Sequence, residues 1–91
     1  MNIDNYIKAV KALNEAAMCF ALLGHMVETT YYSNHVSMAL TIFFHHAKDI
    51  THLQRELRRY QDEDDSIELL AHNPSSNAKF YTLRLTKNPL V

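Results

Sequence analysis

One glycine, Gly24, and no proline before Pro74 are all the strong punctuation that the first 73 residues contain. Tight turns draw on glycine and proline, so a chain this poor in both favours long elements over many short strands. The first such element reads as a helix. Tyr6, Val10, Leu13, Ala17, Phe20, Gly24, Val27 and Tyr31 recur at alternating spacings of four and three, one continuous stripe on a helical surface. Asn2 or Asp4 suits its N-cap. Gly24, the residue that most easily turns left-handed, can end it, or it runs on to about Tyr31 with the stripe.

The middle of the chain fits two templates. Val36, Met38, Leu40, Ile42 and Phe44 alternate as a half-buried strand does, while Val36, Leu40, Phe43, Ala47, Ile50 and Leu57 follow a helical stripe. Ala39 and Phe43 spoil the alternation, and the helical stripe continues into residues 49–60, whose outer surface carries Arg55, Glu56, Arg58 and Arg59. A long helix over 33–61, capped by Ser33, is the preferred reading; a strand pair over 26–32 and 36–44 is the alternative. Residues 66–72 and 79–86 have strand composition on either side of the turn-rich stretch 73–77, with Tyr81, Leu83 and Leu85 on one face, which makes a β-hairpin.

The expected fold is therefore α+β and a single domain over residues 1–91. A helical hairpin (about 3–30 and 33–61) precedes a C-terminal β-hairpin reaching to residue 86. The second choice is an αββαββ two-layer sandwich. Hydrophobic residues make up 47% and charged residues 21% of 91 positions, the balance of a folded globular protein rather than a disordered one. So short a chain builds a small core, and helix stripes this long exceed what one copy covers, so a homodimer through helix–helix packing is expected.

The longest apolar run, residues 16–23, is eight residues, against the roughly 20 of a membrane span. Asp4 precedes Lys8, and no small-residue cleavage site follows, which is unlike a signal peptide. Cys19 has no second cysteine to pair with, which suits a reducing compartment; a cytoplasmic protein is expected.

Few side chains suggest chemistry. On a 33–61 helix, His45, Asp49, His52 and Glu56 share one face, and imidazoles with carboxylates at that spacing can hold a divalent ion. Ordinary solvated helices carry the same i, i+4 neighbours, so neither metal nor cofactor is expected. Cys19 sits in an apolar run, where a thiol is a small hydrophobe, and one glycine cannot build a phosphate loop. No enzyme is expected.

Binding is the better reading. The tyrosine pair Tyr31 and Tyr32, with Met26, Met38 and Ile42, offers aromatic and methionine surface typical of protein interfaces. The acidic block Asp62, Glu63, Asp64 and Asp65 can dock on a basic groove. The expected function is a small non-enzymatic protein–protein interaction module. Its partner-binding residues are Tyr31, Tyr32, Asp62, Glu63, Asp64 and Asp65, and it acts as a regulator or inhibitor of the kind mobile elements and phages encode. The alternative is nucleic-acid binding through Arg55, Arg58, Arg59, Lys79 and Arg84, with Phe80 and Tyr81 stacking on bases. A net charge of −1, and an acidic block between the two basic groups, weigh against it.

Overall fold

The computed structural model describes residues 3–32, 37–72 and 80–89. Helix α1 (Ile3–Leu22) leads into strands β1 (Met26–Tyr31) and β2 (Met38–Phe44). A single 3-10 turn (Ala47–Asp49) then opens helix α2 (Ile50–Arg58), followed by β3 (Ser66–His72) and β4 (Phe80–Lys87). The four strands form one antiparallel sheet in the order β1-β2-β4-β3. The class is α+β, and the arrangement is the αββαββ sandwich, with helices on one face of the sheet. The C-terminal hairpin lies where its composition places it.

Helix α1 ends at its glycine. The His25 amide donates to the Phe20 carbonyl and the Gly24 amide to that of Ala21, both at 3.0 Å, with Gly24 at φ +91°. This paired closure satisfies carbonyls that the helix end leaves free, and its left-handed residue is the one glycine in the chain. The apolar stripe beyond Gly24, Val27 and Tyr31, belongs to β1 instead of an extended helix.

The long helix over 33–61 does not form. Residues 38–44 are a strand hydrogen-bonded on both sides, to β1 and β4. The strands on either side cover its short side chains, so Ala39 and Thr41, on the side away from the helices, are buried as well. That shielding produces the impure alternation that imitates a helix. Only Ile50–Arg58 is helical, and it buries Leu53 and Leu57.

Met38, Leu40, Ile42 and Phe44 of β2 and Leu83 and Leu85 of β4 face the helices. There they meet Ala9, Leu13, Ala16 and Phe20 of α1 and Leu53 and Leu57 of α2 in one core. Met38 and Ile42 are thus fully buried rather than partly exposed. The inner stripe of α1 packs on the sheet of its own chain, which removes the reason for expecting a dimer through helix–helix packing. Among the described residues, no helix is long and apolar enough to cross a membrane.

Candidate partner-binding surface

Among the described residues, no helix lies on the second face of the sheet. Successive rows across β1, β2, β4 and β3 read Thr30–Ala39–Thr86–Ser66, then Glu28–Thr41–Arg84–Glu68, then Met26–Phe43–Thr82–Leu70, with Phe80 and His72 beyond. One end is therefore polar, the middle carries mixed charge, and the other end is apolar and aromatic.

At the apolar end the side chains are organised. The Phe43 and Phe80 rings sit 6.5 Å apart at a 41° tilt, and His72 stacks on Phe80 at 4.7 Å and 18°. The His72 ring is further held by a 3.2 Å hydrogen bond between its Nε2 and the Thr82 hydroxyl. Met26 stands 71% exposed at one border, and Leu70 is exposed at the other. Beside this patch lies a cavity of about 490 Å³ walled by Gly24, His25, Met26, Phe43, His45, His46, Asp49 and Phe80. Fixed aromatic rings with an exposed methionine and leucine at the border form an apolar centre, and the imidazoles and the charged row form a polar rim, as in protein interfaces.

The charged row is nearly balanced. Arg84 lies between Glu28 and Glu68 in register, and its Nε donates to the Thr41 hydroxyl at 3.3 Å. Glu68 neighbours Arg84 in register and Glu28 lies two strands away, so the row's two carboxylates and one guanidinium give no net positive charge for phosphates.

The residues singled out from sequence go to several places. Tyr31 and Tyr32 are exposed at the opposite end of β1 from Met26. Tyr31 pairs with Met38 and Met38 with Lys87, so Tyr31 and the acidic turn share one end of the sheet with a buried row between them. The acidic turn is itself built into the fold. Lys87, 1% exposed, donates from Nζ to Asp65 Oδ2 at 2.7 Å and to Asp62 Oδ2 at 3.2 Å. Asp65 Oδ2 also accepts the Asp62 amide, and Asn88 holds the Asp64 carbonyl. Asp65 is thus consumed internally, whereas Asp62, Glu63 and Asp64 remain exposed.

Arg55 and Arg58 lie exposed on α2 and Arg59 directly after it, in the layer behind the sheet, while Arg84 is on the helix-free face. Arg59 pairs with Glu56 at 3.2 Å. Lys79 lies outside the described residues. Phe80 and Tyr81 point to opposite faces, Tyr81 stacking on Phe44 at 5.3 Å on the helix side. Among the described residues, Arg55, Arg58 and Arg59 do not share a surface with Arg84. Nor does the structure gather His45, Asp49, His52 and Glu56: α2 starts only at Ile50, so His45 and Asp49 precede it and border the aromatic cavity, while His52 and Glu56 ride the helix. No group of three or more metal-ligating side chains comes together among the described residues. Cys19 is half-buried beside Tyr60, whose hydroxyl bonds to it. Burial first, and then this bond, push the Tyr60 hydroxyl above the usual tyrosine range.

Sequence reasoning missed Phe43, Leu70 and His72 as surface residues. Their signal was register: once residues 26–31, 38–44, 66–72 and 80–87 are strands, alternation puts them on one face. No protein-family model matches the chain, and neither the curated proteins nor the solved structures compared with it contain a match.

Proposed function

We propose that the chain is a non-enzymatic protein-binding module that docks the helix-free face of its sheet on a protein partner. One observation carries this reading. The described residues put no helix over the Met26, Phe43, Phe80 and Leu70 patch, yet its rings are fixed by mutual contact and by the Thr82–His72 hydrogen bond. An apolar centre held rigid in advance loses little freedom on binding. The nearly balanced charge of the middle row favours a protein over a nucleic acid. The module serves as a regulator or inhibitor in the cytoplasm, and Tyr31, Tyr32, Asp62, Glu63 and Asp64 offer it a second contact at the far end of the sheet.

A photoreactive amino acid at position 26, compared with one at position 55 on α2, tests the assignment in cells of the source organism. Discrete protein adducts from position 26 that are absent from position 55 are expected. Adducts mainly with nucleic acid, or equal labelling from both positions, contradict the reading.

A further inference from the structure

Strand β3 is an edge. One side of Ser66–His72 pairs with β4, and the other, among the described residues, has no strand against it and presents its backbone N–H and C=O groups outward. Proteins commonly blunt such edges with lysine, proline or a bulge. This strand has neither residue, and its register with β4 runs without interruption from Ser66 to His72. Leu69 and Leu70, on opposite faces, are 40% and 37% exposed, and Ala71 is exposed beside them. Glu68 sits opposite its own Arg84 but makes no ion pair among the described residues, because Arg84 turns to Thr41 instead.

We propose that β3 pairs antiparallel with β3 of a second copy about a two-fold axis through Leu70, joining two four-stranded sheets into one of eight. A two-fold axis normal to the sheet brings like faces together, so the symmetric register must centre on a residue rather than between two. Centring on Glu68 opposes two carboxylates, and centring on Leu69 sets Glu68 against Leu70 of the other copy. Centring on Leu70 places Glu68 across from the second copy's imidazole at position 72, Leu70 against its own copy, and Leu69 against the alanine at position 71. A carboxylate facing an imidazole, with apolar pairs beside it, favours that last register over the others. The strand is complementary to itself, and this identifies the occupant as a second copy rather than another chain. The inference rests on the backbone edge of β3 rather than on the docking face; Leu70 and His72 border both, but Met26, which tests that face, lies on β1 at the other edge of the sheet.

Sedimentation equilibrium on the full chain tests it, with a species of twice the 10.6 kDa chain mass expected. Glu68→Lys and Leu70→Lys each raise the dimer dissociation constant at least about tenfold, and adding His72→Glu to Glu68→Lys restores most of the loss. Leu70→Cys forms an intermolecular disulfide on mild oxidation, because directly opposed residues in an antiparallel pair lie within disulfide reach, whereas Met18→Cys on the outer surface of α1 does not. A chain that stays monomeric at millimolar concentration overturns the proposal. So does a dimer that Leu70→Lys leaves intact, or a Glu68→Lys, His72→Glu double variant that fails to restore association.

Discussion

Lys87 stands where the alternation of β4 asks for an apolar residue, opposite Met38 on the helix side of the sheet. Its charge is tolerated there because two carboxylates meet it, one of them 6% exposed. Removing a partner from a buried pair leaves the other charge uncompensated. Lys87→Met is therefore expected to cost about 3 kcal/mol in urea unfolding, and Asp65→Asn a similar amount. Asp62 is 60% exposed, so Asp62→Asn costs less than about 1 kcal/mol. Equal losses from Asp62→Asn and Asp65→Asn contradict this division of labour. Nothing local in the sequence marks the pair, since 22 residues separate Asp65 from Lys87. The acidic run reads as surface until the chain folds back on it.

Tyr60 gives the fold a pH dependence. Its hydroxyl titrates above the ordinary 10.0, so the folded chain keeps that proton after the unfolded chain has released it. Stability from this residue is intact below pH 10 and is lost as pH rises from there through the raised value. Thermal melts across that alkaline range are expected to show a decline that Tyr60→Phe flattens; an unchanged slope in the variant removes Tyr60 as its source.

Among the elements, α1 was largely legible and β2 was not. Gly24 announces the helix end, and its geometry explains why. A Cβ there meets no atom within 4 Å, so Gly24→Ala carries backbone strain alone at φ +91° and is expected to cost about 1–2 kcal/mol. A melting temperature equal to that of the unmodified chain refutes this. In β2, the strands on either side cover the short Ala39 and Thr41, and Phe43 is apolar on the helix-free face, so apolar or buried positions fall on both faces and blur the period. The candidate site was hidden for the same reason, because Phe43 and Phe80 face the same way only once β2 and β4 are in register. The layers also predict which positions of α1 matter. Phe20→Ala, in the core, is expected to cost about 3–5 kcal/mol, and Met18→Ala, 66% exposed, within about 0.5 kcal/mol of zero.

At the scale of the whole molecule, the chain is a slab with one face covered. Its radius of gyration, 13.6 Å, exceeds the roughly 12 Å of an evenly compact chain of this length, as expected for a sheet with helices on one side only. The covered side holds the core, while the other side holds the aromatic rings and the charged row that the proposed function assigns to contact. Met26, exposed at the border of that patch, separates the two roles. The most direct measurement compares Met26→Glu with the unmodified chain, both for urea unfolding and for recovery of the protein crosslinked through the helix-free face. Unfolding within about 0.5 kcal/mol of the unmodified chain, together with loss of that partner, is predicted. Full partner recovery from a stably folded Met26→Glu chain contradicts the assignment of this face to binding.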